Sequence, residues 1–354
     1  MLRAIAANAV LIAHLTVVEL KYSHGHAILP GWVGHGGAAG VNLFFVISGF
    51  VMALVARNAN WRDFIGARVI RIYPIYWFYT SLVLVVFVIR PDLVNQSFAH
   101  PPSILQSYLL WPQDVDPLLA VGWTLIHEMY FYVVIAVFVG LAIPLRYGLP
   151  AWLVMVLAAP FLIDVSSPLF AVIFHPMTLE FILGGAVGLV VTAGAARFGA
   201  TSLCAGVALL AGGWWLYGRG PQISDDRWAR VVYLGIAFVP IVYGVVALEL
   251  NRKLPVQRWA TRLGDASYST YLSHVLTLSL LGRIFVSQPI HNAFAELVFV
   301  ILCVAIANAV GLLSFDHLEL RVLRQLRSYI RHGGTTAALS TKPFSKLPAC
   351  KRLK

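Results

Sequence analysis

The chain has 354 residues, of which 59% are hydrophobic and only 12% are charged, and its formal net charge is +11. An ordinary soluble domain is about one-quarter charged, so this composition excludes a typical water-soluble fold. In a membrane protein, excess Lys and Arg more often records topology and contact with anionic lipid headgroups than nucleic-acid binding, so we predict membrane lipids as partners and no nucleic acid.

Apolar runs recur along the whole chain, and each is about 17 to 25 residues long, which is enough for a helix to cross a bilayer. The runs are apolar on all sides, whereas the strands of a membrane barrel alternate apolar and polar residues. The sequence therefore predicts an all-α, polytopic integral membrane bundle of about ten transmembrane helices. The predicted spans are 2–20, 37–56, 74–90, 123–144, 149–164, 172–192, 200–217, 230–249, 266–286 and 293–315.

The basic residues divide unevenly between the two ends of these spans. With the N-terminus inside the cell, 20 of the 26 Lys and Arg residues lie on the inner side. This bias predicts that both termini are cytoplasmic. The six basic residues on the outer side are Lys21, Arg90, Arg219, Arg227, Arg230 and Arg283.

Two regions outside the spans have distinct compositions. The longest outer loop, residues 91–122, contains five prolines and is predicted to form an irregular lid over the mouth of the bundle. Residues 1–320 are predicted to form one membrane domain, and residues 321–354 a basic cytoplasmic tail. The tail is polar and rich in Gly, Thr and Ser, so we expect it to be disordered and to lie on the anionic inner leaflet.

Arg3 and His14 are the first candidate functional residues, because ionisable side chains inside a span are costly. They are eleven residues apart, which is roughly 16 Å along a helix. Arg3 would lie at the cytoplasmic rim, where a guanidinium can bind a phosphate, and His14 near mid-membrane, where a neutral imidazole can accept a proton. A structural histidine bonded to a neighbouring helix explains His14 equally well on spacing alone.

A second set of polar residues opens the fourth span, where Trp123, His127 and Glu128 are followed by Tyr132. Counted from opposite membrane faces, Glu128 and His14 reach a similar depth, so the carboxylate is placed to orient the imidazole and stabilise its protonated form. The alternative is an interfacial aromatic belt with a His–Glu pair at headgroup level. That alternative explains Trp123 and Tyr132 well and Glu128 poorly.

A third set is the basic segment that precedes the third span. Arg68 and Arg71 are three residues apart and share a helical face, and Pro74 is predicted to begin the span that follows. Two guanidinium groups on one face suit a multiply phosphorylated ligand. Anchoring to lipid headgroups on the inner side explains the same residues comparably well.

The remaining candidates carry weaker patterns. Ser48 precedes a glycine in an aromatic run and can face a cavity, but it lacks the G-x-S-x-G elbow, so covalent catalysis is not predicted. His274 ends a polar stretch near mid-membrane and either lines the site or bridges helices. Three distant cysteines and no H-E-x-x-H motif predict neither a disulfide nor a metal site. The weakest candidates are His175, Glu180, Asp316 and Glu319.

These motifs, in their order along the chain, resemble the membrane acyltransferase 3 family. The version containing His127 and Glu128 is similar to the branch of exopolysaccharide-production acetyltransferases. The segments that carry the resemblance are residues 2–6 with His14, 44–50, 68–74, 123–128 with 131–132, and 264–274.

The resemblance implies a ten-helix enzyme of the bacterial inner (plasma) membrane that takes an acyl group, usually acetyl from acetyl-CoA, at the cytoplasmic face. The acceptor would be a hydroxyl of a lipid-linked or exported carbohydrate. Acetyl-CoA would act as a co-substrate, and no cofactor would be bound. The resemblance also implies that Arg3 and His14 are the residues essential for acyl transfer, and that Arg68, Arg71 and Glu128 support them.

Elementary chemistry agrees with this implication but leaves other classes open. A sugar hydroxyl is a poor nucleophile, so a base such as His14 must accept its proton, which contributes about 10²–10⁴-fold. A proton-coupled transporter or flippase for a glycan or glycolipid would instead use His14, Glu128 and His274 as a proton path. A non-catalytic sensor or scaffold is the third class.

Overall fold

The computed structural model describes residues 1–57, 59–94, 100–217, 227–255, 257–288 and 292–332. Within these ranges the regular elements are all helical, which confirms the predicted fold class. The α-helices are α1 Leu2–Tyr22, α2 Gly31–Ala56, α3 Trp61–Ile89, α4 Ile104–Leu109, α5 Trp123–Gly140, α6 Leu145–Leu162, α7 Pro168–Ile173, α8 Thr178–Thr192, α9 Gly199–Tyr217, α10 Arg227–Arg230, α11 Phe238–Leu250, α12 Arg258–Asp265, α13 Ser267–Val286, α14 Ala293–Ser314 and α15 Leu320–His332.

Nine helical stretches of the described residues are long and apolar enough to cross a membrane. They correspond to nine of the ten predicted spans. The remaining prediction, 266–286, coincides with α13, which has 20 residues but carries several buried serines, threonines and a histidine. Its low hydropathy follows from these polar side chains, and its length is still that of a span.

Pro74 does not begin a helix, contrary to the prediction. It lies inside α3, whose 29 residues join the basic segment to the third span. Proline lacks only one N–H donor, and a long membrane helix tolerates this loss when neighbouring groups satisfy the freed carbonyl. Arg68 and Arg71 therefore lie on the N-terminal extension of a membrane-spanning helix.

The described part of loop 91–122 packs against the bundle and is largely irregular outside the short helix α4. Its α4 is anchored through Ser107, whose carbonyl accepts a 2.6 Å hydrogen bond from the Tyr76 hydroxyl and whose Oγ accepts one of 2.9 Å from the Leu118 amide. Leu118 and Leu119 are buried in the core beside Tyr76. Apolar residues at the end of the loop thus fasten it to the bundle, while residues 95–99 lie outside the described part.

Helix α2 is central in the bundle and packs against α1 and α8. Glycines allow the close approach of α2 and α8, because a Cβ atom at Gly49 would overlap the carbonyl oxygen of Phe181, and one at Gly184 would overlap that of Val46. The approach holds the cavity-facing side of α2 at a fixed distance from α8.

Two membrane helices contain a turn of π-helix. Val231–Gly235 joins α10 to α11, and Phe315–Glu319 joins α14 to α15. The second turn extends the chain past residue 320 as α15, so the predicted tail begins as a helix. The Gly/Thr/Ser-rich residues 333–354, for which disorder was predicted, lie outside the described part of the chain.

Candidate active site

A cavity of about 100 Å³ is lined by side chains from five helices, among them Arg3 near the start of α1. Six of the ten residues proposed from the sequence line it, although they come from four separate helices. These six are Arg3, Ser48, Arg68, Arg71, Glu128 and Tyr132.

Three arginines face this cavity, and each is held differently. Arg3 donates from Nε to Ser267 Oγ at 3.1 Å, and Arg71 forms an ion pair with Glu319. The Arg68 guanidinium lies 5.9 Å from the ring centroid of Tyr132, and its buried Nε has no hydrogen-bond partner among the described residues. A buried, unsatisfied N–H donor on a cation is costly, so Arg68 is suited to bind an anion.

Glu128 is fixed by two hydroxyl groups. Tyr132 and Ser48 both donate to Glu128 Oε1, the latter at 3.2 Å. The predicted contact between Glu128 and His14 is not formed, because Glu128 lies on the cavity face of α5 whereas His14 faces α13. The carboxylate instead supplies negative charge opposite the three arginines.

The partner of His14 is His274. The Nδ1 of His14 lies 2.9 Å from the Val10 carbonyl oxygen and 3.4 Å from His274 Nε2, and the ring centroids are 4.9 Å apart. A carbonyl can only accept, so His14 Nδ1 carries the proton. His274 Nδ1 likewise donates to the Tyr271 carbonyl at 2.6 Å. His14 Nε2 is therefore left with a free lone pair, as a general base requires.

Tyr271 separates the two histidines from the cavity. Its ring lines the cavity and lies 5.7 Å from that of His274, while neither His14 nor His274 belongs to the lining. The Tyr271 hydroxyl donates to the Val121 carbonyl at 2.9 Å and lies 2.7 Å from Thr124 Oγ1. His274 is 1% exposed, so it is buried behind the Tyr271 ring and contacts His14 on its other side.

Trp123 and His127 also lie outside the lining. On α5 the residues Thr124, Glu128 and Tyr132 are spaced four apart and line the cavity. Trp123 and His127 each precede one of them by one residue, so their side chains point about 100° away around the helix axis. His127 packs against the ring of His175 at 4.5 Å and donates from Nδ1 to the Trp123 carbonyl at 2.9 Å. The sequence did not determine the rotation of α5 about its axis.

Glu180 belongs to a separate buried polar cluster. Asn42 donates to Glu180 Oε1 at 2.5 Å, and Arg230 donates from Nε to Asn42 Oδ1 at 3.0 Å. Glu180 is fully buried, and its Oε2 has no hydrogen bond within the described residues. The cluster joins α2, α8 and α10 and does not line the cavity.

Sequence analysis missed several polar residues of the site, although most lie in stretches it had singled out. Tyr268 and Tyr271 belong to the polar segment that ends at His274, and Thr124 follows Trp123. Asp316 and Glu319 pair with Arg262 and Arg71, as inner carboxylates commonly do. No group of three or more potential metal ligands occurs among the residues that the structure describes.

The bundle and its enclosed, arginine-rich cavity define a polytopic membrane protein with a buried polar site. A family model described as an acyltransferase domain matches residues 1–313. The chain belongs to this acyltransferase 3 family, as the sequence motifs predicted, and it is a membrane acyltransferase. It is 31% identical over 280 residues to the exopolysaccharide production protein ExoZ of Rhizobium meliloti (strain 1021), an alignment that covers 70% of this chain and 78% of that protein. No solved structure is significantly similar to the chain.

Proposed function

We propose that the protein transfers an acyl group, normally acetyl, from acyl-CoA to a hydroxyl of an exported or cell-surface carbohydrate. The observation that carries the proposal is the cavity lined by Arg3, Arg68 and Arg71 beside a histidine with a free Nε2. A carbohydrate acceptor is supported by the likeness to a protein of exopolysaccharide production. The acceptor and donor are substrates, and membrane lipids surround the bundle.

The arginines account for binding of the donor. Coenzyme A carries several phosphate groups, and guanidinium groups bind phosphate oxygens in a forked geometry. Arg3 lies near the start of α1 and is exposed, so it marks the mouth of the cavity on the side of the N-terminus. The pantetheine arm would extend from this mouth towards Tyr271.

His14 accounts for the chemistry. The acceptor O–H gives its proton to His14 Nε2 while its oxygen attacks the thioester carbonyl, and the C–S bond then breaks. The leaving thiolate takes the same proton from His14, so the free thiol and the ester are the products. His274 accepts a hydrogen bond from His14 Nδ1, which orients the ring and stabilises its protonated form. The acyl group must pass Tyr271 to reach this base.

The topology supports donor entry from the cytoplasm of a bacterial inner membrane. If α13 crosses the bilayer with the nine apolar stretches, the total is ten and both termini lie on one side. The excess of Lys and Arg on that side favours the cytoplasm. Cysteine accessibility labelling near each terminus in sealed membrane vesicles tests this orientation.

The decisive experiment incubates purified protein with radiolabelled acetyl-CoA and the surface polysaccharide of its own cells, freed of esters by mild alkali. We expect label to enter the polysaccharide, and His14→Ala to reduce the rate by about 10²–10⁴-fold without loss of expression or thermal stability. Normal turnover by His14→Ala would exclude the base. Glycan flux into proteoliposomes without an acyl donor, together with no transfer of label, would support a transporter instead.

A further inference from the structure

Glu319 is a fully buried carboxylate in contact with the cavity wall. Its side chain is 0% exposed, whereas that of its ion-pair partner Arg71 is 28% exposed. The Ser269 hydroxyl donates to Glu319 Oε2 at 2.6 Å, so both carboxylate oxygens face polar groups. Isolating a carboxylate from water in this way is costly unless the pair has a defined geometry.

The ion pair leaves most of Arg71 available to a ligand. Glu319 Oε1 contacts Nη1, and the guanidinium lies 5.8 Å from the ring centroid of Tyr268. A guanidinium has five N–H donors in a planar fork, so the donors not facing Glu319 remain for a second anion. The carboxylate and the aromatic ring together fix the plane of the fork.

Arg68 offers a contrast within the same cavity. Its guanidinium lies 6.0 Å from the ring centroid of Phe64 and 5.9 Å from that of Tyr132, and no carboxylate of the described residues forms an ion pair with it. The side chain of Arg68 can therefore reorient towards a ligand, whereas the ion pair fixes the orientation of the Arg71 guanidinium.

We propose that Glu319 is a positioning residue, which orients Arg71 for a phosphate group of the acyl donor, and that Ser269 holds its carboxylate in place. This inference rests on the proposed function, since it requires that the arginine cavity binds acyl-CoA. Glu319 ends the π-helical turn Phe315–Glu319, and such irregular turns are frequent at functional sites. The turn brings a carboxylate from the end of α14 to the arginine of α3.

A matched control lies on the same turn. Asp316 forms an ion pair with Arg262 on the inner surface, where the two side chains are 32% and 63% exposed, and it does not line the cavity. Asp316→Asn makes the same chemical change as Glu319→Gln three residues away, in an ion pair that solvent screens.

The test compares two donors, acetyl-CoA and acetyl-pantetheine, of which only the first carries the nucleotide phosphates. For Glu319→Gln we expect KM for acetyl-CoA to rise about tenfold or more with kcat within about twofold of the wild type, because lost binding without lost catalysis raises KM alone. kcat/KM for acetyl-pantetheine should be unchanged. Ser269→Ala should also raise KM for acetyl-CoA, but by a smaller factor. Asp316→Asn should leave the kinetics with both donors unchanged.

Three outcomes would overturn the inference. An equal loss with both donors would mean that Glu319 only supports the fold, and a lower KM for acetyl-CoA would mean that it competes with the donor. If Glu319→Gln does not fold, unchanged kinetics with acetyl-CoA in Ser269→Ala would overturn the inference. Absence of transfer from acetyl-CoA by the wild-type protein would instead refute the proposed function, so the two failures are distinguishable.

Discussion

Replacement of His274 by leucine tests the division of roles between His14 and His274. Leucine fills a similar apolar volume but cannot accept the hydrogen bond from His14 Nδ1, which spans 3.4 Å in the structure. A hydrogen bond to a charged group contributes about 1.5–3 kcal/mol, and the long distance favours the lower value. Since about 1.4 kcal/mol changes a rate tenfold, we expect kcat to fall about tenfold.

The assay measures acetyl transfer at saturating acetyl-CoA, with His14→Ala in parallel. If His14 is the base, that variant loses about 10²–10⁴-fold, well beyond the loss in His274→Leu. Thr277→Val serves as the control, because Thr277 lies one turn along α13 and its hydroxyl donates to the Ser273 carbonyl of the same helix at 3.0 Å. The reasoning is refuted if His274→Leu costs as much as His14→Ala or leaves kcat unchanged.

Two further predictions concern the donor site and the bundle. Arg68→Lys should raise KM for acetyl-CoA several-fold with little change in kcat, because an ammonium group cannot reproduce the fork of the guanidinium that lies over Tyr132. Initial-rate kinetics measure both constants, and a fall in kcat alone would contradict this prediction. Gly49→Val should prevent folding, since its side chain would overlap the Phe181 carbonyl, whereas Gly212→Ala should be tolerated because a Cβ there meets open space. Thermal unfolding in detergent compares the two, and equal stability would contradict the close approach of α2 and α8.

The spans could be predicted from the sequence because their length and apolarity follow from bilayer thickness, which acts on each segment separately. Helix α13 is harder to predict from apolarity alone, because it carries several buried polar side chains. Ser267, Ser269 and His274 pair with Arg3, Glu319 and His14 on other elements, and those partners follow only from the packed bundle. The same applies to Pro74, whose place inside α3 depends on neighbouring helices.

Six of the ten residues proposed from the sequence line the cavity, but the pairing of the side chains was not predictable. Arg68 and Arg71 share a face because they are three apart in one helix, a local property. The partner of His14 depends on how α1 and α13 are rotated about their axes, and depth alone suggested Glu128 instead of His274. Trp123 and His127 show the same effect on α5. Helix rotation is set by packing between segments distant in sequence, so spacing could not determine it.

The π-helical turn Phe315–Glu319 separates the rotational phase of the two helices it joins. An α-helix advances about 100° per residue, and a π turn accommodates one residue more than the regular repeat. Helix α14 can therefore keep its register against α13 in the bilayer, while α15 takes an independent register against α3 at the inner surface. Deletion of one residue within this turn would leave a regular α-helix with both registers kept, so it should be tolerated better than the same deletion inside α14 or α15, which would rotate one helix face by about 100°.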